Sequence, residues 1–491
     1  MSALAIDNGR PGAGLPFRNF GLSLGGRGVS LSAHVISLMV VVRLFTKDEV
    51  AVIAFAGVIT MLMDTCKGLG LGTLLLKRLP QLADGAGPEA RALLGTYLLY
   101  SLLVPSFLTA MSLAAPKALV ALAGLPGSGR ALQTCLLIGL FTVLSNTNLL
   151  VLQASEQFGR LAAYTLVTSL LQRLAPCLGA LWLGAGLEQF LIWSLVATAV
   201  GFAATCVPLF SMLRPLSTQL LNWRDFWPES RHFYGSSLLR YATTQVDQLF
   251  VALLFPPATL AVYFVLRRLF SLVIVAITSL IDALVPDLSR RAAEDADAAR
   301  GRLTELARFS LFAGSAGAAL MAGNGSAIVE MLLGPGYGED PLLIALFAAT
   351  TSLYFLYCFV QLDLMLFQAP RTVLWMAAAT SAANLVAGPL THRWLGVHSL
   401  PMAMLAGYLL GLLAARRRSP ARETIWRYRE LFAGLAVVTL ASLAPVVAQT
   451  SQLGEWGRTA AVNLAIAVLV TAYFWRHRVA ETLRRLGQGP V

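Results

Sequence analysis

Residues 233–285, FYGSSLLRYATTQVDQLFVALLFPPATLAVYFVLRRLFSLVIVAITSLIDALV, read as two membrane-spanning helices separated by Pro256-Pro257. Yet Arg240, Asp247, Arg267, Arg268 and Asp282 lie inside them. A charge near the bilayer centre costs about 2.5–3.5 kcal/mol on insertion scales, so such residues face a partner or a watery cavity. Arg240, Thr243, Thr244 and Asp247 follow i, i+3, i+4, i+7 spacing, which puts them on one helical face. The two spans run in opposite directions, and Asp247 and Arg267 lie at similar distances from the shared turn. At about 1.5 Å per residue they sit at similar depth. An ion pair of Asp247 with Arg267 or Arg268 is expected, either fixing helix register or taking part in coupling. Asp282 lies close to a membrane surface.

The rest of the chain is of the same kind. Its residues are 57% hydrophobic and 13% charged, against about 25% charged in a soluble domain, and its mean hydropathy is +0.70. About fourteen windows reach the roughly 20 apolar residues a span requires. They are 21–43, 50–72, 92–113, 131–154, 161–183, 190–212, 233–254, 259–284, 309–332, 342–367, 372–394, 399–415, 431–449 and 459–475. No run of short amphipathic strands appears, which excludes a β-barrel. The reading is an all-α integral membrane protein of about 14 transmembrane helices. Two pseudo-symmetric lobes, residues 1–212 and 233–415, carry six spans each. A cytoplasmic linker, 213–232, joins them, and a C-terminal helix pair and tail fill 416–491. Two similar halves are a common transporter plan, with the site at their interface.

The net charge of +12 does not indicate nucleic acid, because the basic residues sit in short loops. With the N-terminus in the cytoplasm, about 25 Lys and Arg fall on the inner side and about 6 on the outer, the positive-inside bias. Both termini are therefore expected inside. The first 16 residues, MSALAIDNGRPGAGLP, have no apolar run for a signal peptide, so the first span is expected to direct insertion. The longest polar loop, PDLSRRAAEDADAARGRLTELAR from Pro286, reads as a short solvated amphipathic helix.

Other polar residues also fall within spans. Arg27 opens the first span, with His34 a little under two turns on. Asp64 and Lys67 are i, i+3 on the second. The fourth carries Ser145-Asn146-Thr147-Asn148, the fifth Gln172-Arg173, and the tenth Gln361 and Asp363. Arginine cannot shed its charge to escape the membrane. Several in one bundle create a positive field suited to an anion. Arg27, Arg173, Arg240 and Arg267 are thus candidate cavity residues. Asp64, Lys67, Asp247, Arg268 and Asp363 are candidates for ion pairing or coupling. Lone polar residues such as Asn384 and Cys177 read as helix packing. The five cysteines and five histidines lack the spacing of a disulfide framework or metal site. No Walker loop or catalytic cluster is present, and no cofactor is expected. The Gly68-Leu-Gly-Leu-Gly72 run reads as packing or bending.

Three stretches carry a family likeness. VVRLFTKDEVAVIAFAG, residues 41–57, is similar to the hairpin after the first span of polysaccharide flippases. VDQLFVALLFPPATLAVYFVLRRLFSLV with LVPDLSRR resembles that family's central block, carrying Asp247, Tyr263, Arg267, Pro286, Leu288 and Ser289. LLGPGYGED, residues 332–340, is similar to its turn after the ninth span. Ala261 and Glu339-Asp340 depart from the family pattern. The chain thus resembles lipid-linked oligosaccharide flippases, in one superfamily with multidrug and toxin extrusion transporters. The resemblance implies a two-lobed bundle in a bacterial inner membrane whose central cavity opens alternately to each side. The implied cargo is an undecaprenyl-pyrophosphate-linked oligosaccharide, with membrane lipids and a polymerase or glycosyltransferases as further partners. A cation-coupled drug exporter and a non-catalytic scaffold of polysaccharide assembly are the alternatives.

Overall fold

The computed structural model describes residues 15–79, 88–125, 127–155, 157–184, 186–212, 220–366 and 370–418. Every regular element among them is helical. The chain begins with α1 (Leu15–Leu44) and α2 (Lys47–Cys66), joined by a capping box. Thr46 Oγ1 and backbone N–H donate to Glu49 Oε2 at 2.9 and 2.8 Å, satisfying amide groups that a helix start leaves open. A 3₁₀ turn at Lys67–Gly70 leads into α3 (Leu71–Arg78). Then come α4 (Pro88–Ala114), the short α5 (Pro116–Ala123), α6 (Gly129–Ala154), α7 (Phe158–Leu183) and α8 (Leu187–Met212). The remainder is α9 (Trp223–Thr244), α10 (Val246–Leu254), α11 (Pro257–Glu294), α12 (Ala296–Leu333), α13 (Pro341–Leu366), α14 (Pro370–Leu395) and α15 (Ser399–Arg418). Among the described residues, eight helical runs are long and apolar enough to cross a membrane. One of these, Arg371–Arg416, is a folded-back pair, α14 and α15 about a 3₁₀ turn at Gly396–His398. The spans expected at 431–449 and 459–475 lie outside the described residues.

Four expectations from sequence change. The second span is interrupted where Gly68, Leu69 and Gly70 all take left-handed backbone, with φ of 65°, 48° and 84°. Gly68 has no room for a side chain: a Cβ there would lie 3.0 Å from Ser101 Oγ and Tyr97 Cε2. The seventh span is interrupted at Gln245 (φ −136°), so the expected single polar face is split between two helices. The linker is helical from Trp223 onward, with Phe226 and Ser230 buried and Ser230 Oγ donating to Leu69 O. The polar loop after Pro286 is not a separate solvated helix. It is the end of α11 and the start of α12, divided at Asp295, whose carboxylate accepts from the N–H groups of Asp297 and Ala298. Ala299, Leu303, Leu306 and Ala307 repeat at helical spacing and are buried, so this segment packs one apolar face on its neighbours.

The described residues divide into two compact units that interleave along the chain. Unit 1 draws on Met1–Ser37, Cys66–Met111 and Thr134–Phe233, and unit 2 on Leu38–Thr65, Ser112–Gln133 and Tyr234–Val491. The core of unit 1 joins Leu71, Leu74 and Leu75 of α3 to Leu93 and Tyr97 of α4, Val151 of α6 and Phe226 of α9. In unit 2, Leu303 and Ala307 meet Leu356, Phe359 and Val360 of α13, Met376 of α14, and Tyr408 and Leu412 of α15. α14 and α15 approach closely because Gly407 and Gly411 leave space. Thr380 Oγ1 donates to Gly407 O at 3.0 Å, the small-residue contact used between membrane helices. Exposed Trp182 and Trp394 stand at the ends of α7 and α14, where aromatic rings sit at a membrane–water boundary. This is a multi-pass membrane protein.

Candidate functional site

In unit 2 the break at Gln245 organises a buried polar centre. An uninterrupted helix would satisfy the carbonyls of Ala242, Thr243 and Thr244 with amides one turn on. Here side chains take over, as buried backbone in a membrane demands. Asn384 Nδ2, from α14, donates to Ala242 O and Thr243 O at 3.3 and 3.0 Å. Arg267 Nη2, from α11, donates to Thr244 O at 2.7 Å. Arg267 Nε also meets Asp247 Oδ2 at 3.1 Å, and Tyr263 OH donates to the same oxygen at 2.8 Å. Asp247 and Arg267 are 3% and 6% exposed, and Asp247 Oδ1 is buried without a partner. Thr243 Oγ1 lies 2.9 Å from Ser381 Oγ of α14.

Of the two arginines named for Asp247, Arg267 is the one it meets, while Arg268 is half-buried and engaged elsewhere. Arg240 is exposed, away from the buried side chains of Thr243 and Asp247. Asp363 is buried in α13, and Asp64 is half-buried near the end of α2; both make further contacts. Sequence reasoning missed Asn384, treated as packing. The signal for it was Thr243-Thr244, two adjacent weak helix formers in a span.

In unit 1, α1 and α7 lie side by side. Ser30 Oγ is 2.9 Å from Ser169 Oγ, and Cys177 Sγ is 3.5 Å from Ser37 Oγ. Four residues separate Ser169 from Arg173, and four separate Ser30 from His34. The register therefore brings Arg173 and His34 to one height along this polar seam. Arg173 is half-buried, and among the described residues no hydrogen bond or ion pair holds it. Lys67, also of this unit, is half-buried and engaged. Arg27 lies on α1, and its side chain is outside the described set. Asn148 Nδ2 donates to Thr205 Oγ1 at 2.9 Å, bracing α6 on α8.

A third polar cluster, again within unit 2, joins two of the stretches that carry the family likeness. Arg43 Nη2 donates to Met331 O at 2.6 Å and Lys47 Nζ to Gly336 O at 2.9 Å. These cations meet carbonyls at and just past the C-terminus of α12, where the helix dipole favours positive charge. Lys47 also lies 5.7 Å from the Tyr337 ring centroid. On the other side of the turn, Asp340 caps α13 through Leu343 N at 2.9 Å and meets His398 Nε2 at 2.8 Å. Burial opposes the Asp340 charge, but the bonds from His398 and the Leu343 amide outweigh it and hold its pKa below the usual carboxylate range. The bond to Asp340 raises the His398 pKa against the opposing pull of burial.

No group of His, Cys, Asp and Glu among the described residues could hold a metal ion. The chain is similar in fold to the lipid II flippase MurJ in an inward closed conformation, with TM-score 0.65 and 13% identity over 94% of this chain and 99% of that one. It is similar to a Vibrio cholerae MATE transporter, with TM-score 0.58 and 16% identity over 84% and 98%. It is also similar to an outward-facing multidrug resistance MATE family transporter of the MOP superfamily, with TM-score 0.60 and 16% identity over 87% and 100%. Among curated protein sequences no relative matches. The family described as polysaccharide biosynthesis protein matches residues 40–339, which include the Asp247–Arg267 pair and the turn beneath Lys47. By that match over more than half its length, the chain belongs to the polysaccharide biosynthesis protein family.

Proposed function

We propose that this protein flips an undecaprenyl-pyrophosphate-linked oligosaccharide from the inner to the outer leaflet of a bacterial inner membrane, by alternating access and with both termini cytoplasmic. Membership of a polysaccharide biosynthesis family and a flippase and exporter fold support the reading. The observation that carries it is Arg173, a half-buried arginine inside a span that no carboxylate among the described residues neutralises. A pyrophosphate is a dense anion that cannot cross hydrocarbon unaided. A guanidinium offers it paired hydrogen bonds and stays charged at any physiological pH. Arg240, exposed and with no hydrogen bond or ion pair from its guanidinium among the described residues, and Arg27 are assigned to the same role. Arg267 was the fourth cavity candidate. We assign it instead, with Asp247, to bracing the α9–α10 break, because its guanidinium is already engaged. Asp64, Lys67, Arg268 and Asp363 remain candidates for coupling, and a polymerase or glycosyltransferases remain candidate partners.

Drug export would call for an accessible, unengaged carboxylate, whereas Asp247 and Asp363 are buried and Asp64 is half-buried and already engaged. The test is glycan export by Arg173→Ala and Arg173→Lys variants at matched protein levels. Arg173→Ala should reduce export by about tenfold or more, an interaction of at least ~1.4 kcal/mol. Arg173→Lys should retain part of it, since lysine keeps the charge and loses the fork. Normal export by Arg173→Ala would refute the cationic pathway.

A further inference from the structure

α7 carries its polar side chains on one flank and its apolar surface on the other. At about 100° per residue, Arg173 and Cys177 fall about 40° and 80° round the helix from Ser169. Exposed Val167 and Leu178 fall about 160° and 180° round, on the opposite side. α1 lies against the polar flank. Its Ser30 meets Ser169 at 2.9 Å one turn before Arg173, and its Ser37 meets Cys177 at 3.5 Å one turn after. α7 runs from Phe158 to Leu183, so Arg173 stands about 4 Å from its middle. A guanidinium at that depth cannot shed its charge and calls for water or a counter-charge. The hydroxyls beside it have a donor to spare. Ser30 and Ser169 carry one O–H each. In their bond one donates and the other accepts, so the accepting residue's own O–H has no acceptor among the described residues. Arg173 adds five N–H donors, likewise without an acceptor among them. Gln172 Nε2, beside Gly201 of α8, is buried without a partner too. Arg173 and both serines are half-buried rather than sealed off.

We propose that the Ser30–Ser169 pair binds one phosphoryl group of the cargo's diphosphate while Arg173 holds the other, so that this seam selects diphosphate-linked over monophosphate-linked lipid. This rests on the flippase reading and adds to it the residues that set specificity for the anchor. A seam with donors in excess complements ionised phosphoryl oxygens, which accept, and charge-assisted bonds of this kind are the strong ones. Four residues separate Ser169 from Arg173, a rise of about 6 Å. The two donor sets therefore meet a ligand at two points. A single phosphoryl group on Arg173 leaves the spare serine O–H unanswered, whereas a diphosphate answers both. On binding, the bond between the two serines is exchanged for bonds to phosphoryl oxygen, so neither hydroxyl loses a partner.

The test is binding of undecaprenyl pyrophosphate and undecaprenyl monophosphate by the purified full-length protein. The variants are Ser30→Ala with Ser169→Ala, Ser169→Thr, and Arg173→Ala. Both serines are replaced together because either one alone would keep a donor. The unsubstituted protein should bind the diphosphate tighter by about tenfold or more. The double alanine variant should lose about that factor for the diphosphate and hold the monophosphate within about twofold, so the preference disappears. Ser169→Thr keeps the hydroxyl and should keep the preference. Arg173→Ala should weaken both lipids. A double variant that weakens both lipids equally has only disturbed the packing of α1 on α7, and one that keeps the full preference places the serines outside the site. Either result overturns the proposal, as does an unsubstituted protein that binds the two lipids equally. Loss of binding in Arg173→Ala with the preference intact in the double variant removes the serine assignment alone. If Arg173→Ala binds both lipids normally, or the unsubstituted protein binds neither, the cationic pathway falls and the serine assignment with it.

Discussion

At the scale of single residues, the Asp247–Arg267–Tyr263 group sets the strongest demands. One carboxylate oxygen receives both the guanidinium and the phenol, and the other has no partner. Removing one member of a buried ion pair strands the other, at about 3–5 kcal/mol. Asp247→Asn and Arg267→Gln should each lower thermal stability in detergent by an amount of that order. The double variant should lose less than the sum, because neither charge is then left alone. Additive losses would show that the two residues do not act as a pair. Tyr263→Phe should cost less, about 1–3 kcal/mol, since it removes one hydrogen bond to the carboxylate. That a charge inside a span needs a partner was legible from sequence. The choice between adjacent Arg267 and Arg268 was not, because it depends on the rotation of α11 about its axis. The role of Asn384 was hidden further, since it serves carbonyls that only a broken helix exposes.

At the scale of elements, apolar runs located the spans well, and their edges were set by caps such as Thr46 and Asp340. Interruptions were less legible. Hydropathy reports apolarity, and neither the Lys67–Gly70 turn nor the Gln245 break alters it enough to register. The α14–α15 pair depends on glycine. A Cβ on Gly411 would lie 2.5 Å from Thr380 Oγ1 and 3.1 Å from Met376 O. Gly411→Ala should therefore force the helices apart and cost about 1–3 kcal/mol, read as a lower melting temperature. The turn between these helices is tied to the start of α13 by His398 and Asp340. The His398 contribution is full below its unfolded pKa of about 6.5 and fades as pH rises through its raised folded value. The Asp340 contribution is full above about 3.9 and fades as pH falls through its lowered folded value. His398→Ala should thus destabilise more at pH 6 than at pH 8.5. The difference should be under about 1 kcal/mol, because both side chains remain partly solvated. Equal losses at the two pH values would count against the charged pair.

At the scale of the whole molecule, the interleaving of the two units has a consequence in time. Lys47 is synthesised 289 residues before the Gly336 carbonyl it binds. At a synthesis rate of about 5–20 residues per second, the first hairpin waits roughly 15–60 seconds for its partner. During that interval Arg43 and Lys47 have no helix end to cap, and residues 38–65 and 112–133 lack the rest of the unit they belong to. A nascent chain halted before α12 is therefore incomplete even where every span of residues 1–212 has been inserted. Expressed alone, a fragment of residues 1–212 should be degraded rapidly in a pulse-chase experiment. Co-expression with residues 213–491 should lengthen its lifetime, because the second fragment supplies the late partners of the early hairpin. A fragment that survives equally well without its complement would show that the first hairpin is content on its own. The same interval identifies when the cell's membrane insertion and quality-control machinery must shelter this protein: after its first hairpin is made, and before its ninth-span turn emerges.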